Sequence, residues 1–386
     1  MIESVEISNF KSIKKKHFHL RNLNLLFGLN GTGKSSLIQA LLCLRQSRNL
    51  GNGSLSIKDG DYVTLGKAKD VFYQYSTDEY LTLNLKFSDN RQLNYEFKYL
   101  PEADYFLDKN WQGQQNVENI DFRLISQTEA LFTDNFQYLS AYRARPKHIQ
   151  PQNYGIVVNH RNIGNQGHYT AHFLEVYGGT AIAFDNMLHT DSNIEDQITQ
   201  TTIVKRTLLD QVNFWMGEIS PGVNIVVTPI SSDYVLLEYQ YKQRNLGYTN
   251  RFKPENVGFG ITYGLPIVVA LLAAKPGELI IIENPESDIH PRGQAELGKL
   301  IALAAMNDVQ LIIETHSDHI LNGIRVAIKE NPILKDRTLL YYFDKVVTDR
   351  EQYSKVTNIE IDNKGELSEY PKNLLEEWSN QLLKLL

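Results

Sequence analysis

The residues whose types and spacing suggest chemistry most directly are Gly28-Leu29-Asn30-Gly31-Thr32-Gly33-Lys34-Ser35-Ser36. Before them Leu23-Asn24-Leu25-Leu26-Phe27 reads as a buried strand, and residues 37–44 after them form a helix-favouring apolar run. G-x-x-x-x-G-K-S therefore sits in the strand–loop–helix context its chemistry requires. Glycines let the backbone turn its N–H groups inward on phosphate oxygens. In such a loop Lys34 puts a cation beside the β- and γ-phosphates, and the Ser35 hydroxyl is the expected Mg²⁺ ligand. The helix that follows presents its positive end to the same anion. A plain glycine turn before a core helix accounts for the glycines but not for Lys34-Ser35. Asn30, Gly31, Thr32, Gly33, Lys34, Ser35 and Ser36 are the candidate contacts for ATP or another nucleoside triphosphate.

Two later stretches share one form, an apolar strand ending in polar residues. Leu279-Ile280-Ile281-Ile282 runs into Glu283-Asn284-Pro285-Glu286, and Gln310-Leu311-Ile312-Ile313 runs into Glu314-Thr315-His316-Ser317-Asp318. Open α/β sheets bind ligands at the carboxyl ends of their strands. Glu283 at such an end can hold Mg²⁺ beside the Ser35 ligand, directly or through water. Glu286 is a candidate to orient an attacking water, and His316 to hydrogen-bond that water or a γ-phosphate oxygen. Solvated acids at a strand end and a structural histidine are the plainer readings of the same residues.

Around these stretches the elements follow. Strands are expected at residues 2–7, 17–20, 80–87, 92–99 and 136–141, with a hairpin turn at 88–90. Residues 101–131 look irregular with an exposed loop at 112–116, residues 147–170 read as a long loop, and 171–215 as mainly helical. Strands return at 223–241, broken at 231–233. Then come a helix at 265–274, a strand at 279–282, a helix at 291–305, a strand at 309–313, a helix at 319–329 and a strand at 338–344. A strand and turn over 359–365 and an amphipathic helix over 374–386 close the chain. The 386 residues suffice for two or three lobes with a sizeable core. A single cysteine, Cys43, excludes an internal disulfide and any multi-cysteine zinc site. The alternating start at residues 2–7 is unlike a signal peptide, and no apolar run reaches membrane-spanning length, so a cytoplasmic, reducing compartment is expected. Net charge is −6, so any nucleic-acid contact must rest on a local patch.

The order of these motifs carries a resemblance. An early P-loop, then Glu283-Asn284-Pro285-Glu286-x-x-Ile289-His290-Pro291, then Glu314-Thr315-His316-Ser317-Asp318-His319-Ile320-Leu321-Asn322-Gly323-Ile324-Arg325 resembles the ABC-type ATPases of the OLD/RecF/SMC class. It is closest in form to short OLD-like ATPases of bacterial genomes and phage-defence modules. Asn9-Phe10-Lys11-Ser12 and Val257-Gly258-Phe259-Gly260-Ile261-Thr262-Tyr263-Gly264-Leu265-Pro266 fit the same group. The implied fold is α/β: an ABC-type P-loop NTPase with a mixed central sheet, an antiparallel β lobe and a helical insertion lobe. The implied divisions are 1–135 (P-loop and antiparallel lobe), 136–255 (insertion), 256–345 (signature, Walker B acid, switch histidine) and 346–386 (strand-turn-helix appendage). Glu283 falls at the Walker B acid, His316 at the switch histidine, and Lys11 joins the nucleotide contacts. Thr262 and Gly264 fall at the signature positions that cap the γ-phosphate of the opposite subunit, Thr262 opening a helix.

Two positions depart from that group. Asn284 stands where the usual catalytic glutamate would be; an amide can orient water but cannot take its proton, so hydrolysis is slow or uses Glu286. His290 occupies the D-loop aspartate position. The Q-loop glutamine has no clear place in the sequence; Gln137 is the candidate for it. The resemblance implies a homodimer or higher even oligomer closed by an ATP sandwich and gating a separate effector, with Mg²⁺ as cofactor. The stretch after residue 329 is short for a Toprim nuclease, so any nuclease is expected on another polypeptide. Arg143, Arg145, Lys147 and His148 form the best basic cluster for DNA phosphates; a solvated loop or nucleotide contacts are its alternatives. Three activities stand open: a defence ATPase with an effector, a repair ATPase acting on DNA ends, and a non-hydrolysing scaffold.

Overall fold

The computed structural model describes residues 1–48, 53–58, 60–110, 120–195, 202–244, 246–372, 374–375 and 382–385. The expected loop at 112–116 and most of the expected closing helix lie outside the described residues. The chain divides into two units. The first comprises Met1–Phe136, Thr338–Ile361 and Leu367–Leu386; the second comprises Gln137–Arg337 and Asp362–Glu366.

In the first unit an antiparallel sheet of six strands begins with Ile2–Phe10 flanked by Ile13–His19 and Tyr80–Phe87. Tyr80–Phe87 then pairs with Gln92–Lys98. The alternation in that hairpin buries Leu81, Leu83, Leu85 and Phe87, none more than 1% exposed. Asn90 closes its turn in the left-handed region at φ 66°, a conformation asparagine tolerates better than most residues. The strand Leu23–Gly28 is buried on both faces and pairs in parallel with Thr338–Val347, which pairs antiparallel with Gln352–Ile359. That is a mixed sheet. Each of Leu23, Leu25 and Leu26 is fully buried and contributes roughly 1.5–3 kcal/mol of burial free energy.

In the second unit Leu279–Glu283 and Gln310–Glu314 pair in parallel, with Glu283 opposite Glu314. The helices Pro291–Ala305 and Asp318–Glu330 follow these strands, the second capped by Ser317, whose hydroxyl accepts from the His319 and Ile320 amides. A separate sheet joins Val223–Pro229, Tyr234–Gln243 and Ile149–Pro151.

Several expectations need correction. The helix expected from residue 265 runs over Phe259–Leu272, with Gly258 as its cap. Pro266 misleads, because proline usually marks a helix start. Here the apolar burial of nearly the whole stretch outweighs the backbone hydrogen bond that Pro266 cannot donate. Residues 147–170 contain the short strand Ile149–Pro151 and a π-type turn at Gly155–Asn159. The helices Thr170–Tyr177 and Leu208–Ile219 are separated by a small hairpin, Asn193–Glu195 with Thr202–Val204. Residues 101–131 hold a strand, Tyr105–Asp108, and a helix, Ile120–Thr128.

Candidate functional site

The candidate residues fall into two groups, one in each unit. In the first, the strand Leu23–Gly28 turns through Gly28, Gly31 and Gly33, all at positive φ, into the helix Lys34–Gln46. Two of these glycines are required by space as well. A Cβ on Gly28 would stand 2.2 Å from the Phe343 carbonyl oxygen, and one on Gly33 would stand 2.2 Å from the Ser354 Oγ. The Lys34 ammonium is buried at the loop and donates to the Gly28 and Leu29 carbonyls, each at 2.9 Å. Thr32 Oγ1 donates to the Leu29 carbonyl at 2.8 Å, tightening the turn. No acidic residue stands in the first helical turn, so no carboxylate of that turn offsets the helix's positive end. Asn30 and Gly31 are exposed, Ser35 is half-buried and Ser36 is buried.

Lys11 lies against the second turn of the P-loop helix, donating to Gln39 Oε1 at 2.7 Å from a left-handed backbone position, φ 50°. Burial pulls its pKa below the usual lysine range. Cys43 is buried on the same helix, its thiol pushed up to about 12 by desolvation, which makes it inert.

The second group gathers where the two parallel strands end. Glu283 closes one strand, and its Oε2 accepts from the Ala141 amide at 3.0 Å. Burial raises its pKa, opposed by that amide, by the Tyr138 hydroxyl and by Arg143. Arg143 donates through Nη2 to the Glu283 backbone carbonyl at 2.8 Å, while its Nε and Nη1 are buried with no hydrogen-bond partner among the described residues. Desolvation lowers its pKa to about 10. Asn284 takes a left-handed conformation, φ 45°, with its backbone N–H donating to the Glu314 carbonyl at 2.8 Å; its Oδ1 is buried and accepts no hydrogen bond from the described residues. Glu286 accepts from Thr315 Oγ1 at 2.7 Å and from the His316 amide at 2.8 Å, and His316 itself is exposed. Among the described residues no three His, Cys, Asp or Glu side chains form a ready metal cage. Mg²⁺ suits such a place, since it is usually held by one or two protein ligands together with phosphate oxygens and water.

A family model described as "AAA domain, putative AbiEii toxin, Type IV TA system" matches residues 23–322. The chain belongs to the AAA_21 family. A second model, described as "Protein of unknown function (DUF3696)", matches residues 333–385. No curated protein matches the sequence. Among solved structures, an SMC head bound to the C-winged helix domain of ScpA aligns with 93% of this AAA_21 chain and 98% of its own, at 12% identity and TM-score 0.54. An SMC head domain with an extended coiled coil, bound to the C-terminal domain of ScpA derived from Pyrococcus furiosus, aligns with 100% and 99%, at 12% identity and TM-score 0.51. The AAA_21 chain thus has the α/β fold of the SMC-head, ABC-type P-loop ATPases. Among the described residues no helix is long and apolar enough to cross a membrane.

The structure places four other expected features in surroundings that the sequence did not suggest. Thr262 does not open its helix: it lies in the first turn and is buried beside Tyr239. Gly264 is buried against Ile219 and Ile289, and the open end of that helix is at Gly258 and Phe259. Gln137 is held by the protein's own backbone, donating to the Tyr138 carbonyl at 2.9 Å and accepting from the Ile163 amide at 3.1 Å. Arg143 turns inward beside Glu283, with Nη2 on its backbone carbonyl, while the His148 ring faces Glu238 and the His148 amide donates to Glu255. The four-residue basic cluster therefore reduces to the exposed Arg145 and Lys147. Sequence reading missed Tyr138, Ala141 and Arg143 as the setting of Glu283. Their signal in the sequence was a short basic stretch after a strand, within a loop at residues 138–146 that resembles the same ATPase group.

Proposed function

We propose that this chain is an ABC-type ATPase that binds Mg-ATP, hydrolyses it slowly, and uses binding and hydrolysis to gate a partner. Asn30 to Ser36 would cradle the phosphates, with Lys34 on the β- and γ-phosphates and Lys11 behind the P-loop helix. Ser35 and Glu283 would hold Mg²⁺, which supplies charge neutralisation on the phosphates. Glu286 and His316 would border the attacking water, and the buried, unfilled Asn284 Oδ1 would accept one of its hydrogens. What carries this reading is one observation: a glycine loop leads into a helix whose first turn holds Lys34 and Ser35 and no acid.

In the same proposal, two chains associate head to tail as a dimer or higher even oligomer. The helix opening at Gly258, with Thr262 and Gly264 behind it, would cap the partner's nucleotide. The assembly would act in the cytoplasm, as an OLD-like module of bacterial anti-phage defence, gating a separate effector or nuclease. ATP can shift such an assembly only through differential affinity for the closed state. Sedimentation of wild type and Lys34→Ala with and without Mg-ATP tests it: nucleotide-dependent dimerisation of wild type alone is expected. Equal behaviour of both proteins would defeat the gating scheme.

A non-hydrolysing scaffold is the second reading, and Asn284 favours it, because an amide cannot act as a base. Steady-state turnover separates the two. A repair ATPase acting on DNA ends is weaker, since Arg143 turns inward.

A further inference from the structure

The P-loop is held from outside by the segment near the end of the chain. Ser354, on the strand Gln352–Ile359, has its Oγ 2.6 Å from the Thr32 carbonyl and 2.7 Å from Ser12 Oγ. A carbonyl can only accept, so the single Ser354 proton goes to Thr32, which leaves the Ser12 hydroxyl as donor to Ser354. The Ser354 amide also donates to the Ser12 carbonyl at 2.8 Å. These hydroxyls crowd the Cα of Gly33: a Cβ there would stand 2.2 Å from Ser354 Oγ and 2.3 Å from Ser12 Oγ. In a trans peptide the carbonyl and the next N–H point in opposite directions. Fixing the Thr32 carbonyl toward Ser354 therefore aims the Gly33 N–H at the other side of the loop.

We infer that Ser354 is a positioning residue for nucleotide binding, presetting the Gly33 N–H as a phosphate donor through the Thr32 carbonyl. Ser354 lies outside the AAA_21 match and inside the 333–385 match, so the C-terminal segment would take part in nucleotide affinity. The inference rests on the proposal that the P-loop binds Mg-ATP. A preset donor binds more tightly because less ordering remains to be done on binding.

The test is calorimetric titration of Mg-ATP into wild type, Ser354→Ala, Ser354→Thr, Ser354→Cys and Ser368→Ala. Ser368 is the control, a hydroxyl in the same C-terminal segment that accepts from the Glu360 amide at 3.0 Å. Ser354→Ala is expected to bind roughly three- to tenfold more weakly, the worth of one neutral hydrogen bond. Ser354→Thr restores affinity, the weak thiol donor of Ser354→Cys falls between, and Ser368→Ala matches wild type. In turnover assays the loss appears in KM with kcat unchanged. Wild-type affinity in Ser354→Ala, or in Ser354→Cys should the alanine variant not fold, would overturn the role of Ser354 while leaving the nucleotide site intact. Absence of Mg-ATP binding by wild type would overturn both.

Discussion

The Glu286 carboxylate holds the His316 backbone N–H at 2.8 Å, with the Thr315 hydroxyl at 2.7 Å on its other oxygen. The turn leaving one parallel strand thus clamps the start of the turn leaving its neighbour. A residue that looks like a free acid in the sequence is structural first, and any part it takes in water activation begins from this fixed geometry.

Glu286→Ala removes both acceptors and leaves the fully buried Thr315 hydroxyl without an acceptor for its proton, though it still accepts from the Ser317 amide at 3.0 Å. The expected cost is roughly 1–3 kcal/mol of stability. Glu286→Gln keeps one acceptor oxygen and should lose less. Chemical denaturation of both variants checks this; unchanged stability in the alanine variant would mean that the clamp is not formed.

Glu283 makes a pH prediction whose sign follows from burial. Its folded-state pKa lies above the ordinary 4.5, so the folded protein binds its proton more tightly than the unfolded chain does. Stability from this group is present below the unfolded pKa and is lost as pH rises through the folded one. Glu283→Gln should therefore raise the Tm of the nucleotide-free protein at neutral pH, and the gain should shrink toward about pH 4. A Tm difference that stays constant across pH would contradict it.

Gly28→Ala puts a Cβ 2.2 Å from the Phe343 carbonyl oxygen at a backbone φ of 140°. Strain alone should cost roughly 1–3 kcal/mol. Opening of the parallel pairing between Gly28 and Phe343 should weaken Mg-ATP binding further. Denaturation and titration of the variant read the two effects separately.

Much of this was legible in the residues because it is local. The alternation over Tyr80–Phe87, the apolar run before Glu283 and the proline-led helix Pro291–Ala305 all appear where their patterns predict them. The P-loop was legible for the same reason: spacing, glycines and flanking elements lie within about twenty residues of one another. What escaped was long-range. Nothing near Ser354 in sequence points to Thr32, and nothing near Arg143 points to the Glu283 carbonyl. The start of the Phe259–Leu272 helix escaped because local rules for glycine and proline opposed it, and burial overrode them.

DNA contact can be tested by salt dependence. Should the chain bind duplex DNA through its exposed loop, charge removal at Arg145 or Lys147 should each lower the slope of log affinity against log salt by about one. Arg143→Gln should leave that slope unchanged, since its guanidinium is buried beside Glu283. A lowered slope in Arg143→Gln would restore this arginine to the DNA surface.

The most direct test is titration of ATP, with Mg²⁺ and with a chelator, into wild type, Lys34→Ala and Glu283→Gln. Wild type should bind both forms, more tightly with the metal. Lys34→Ala should lose both, and Glu283→Gln should keep metal-free binding while losing the increment that Mg²⁺ adds. A full Mg²⁺ increment in Glu283→Gln, or undiminished binding in Lys34→Ala, would contradict a shared Mg-ATP site.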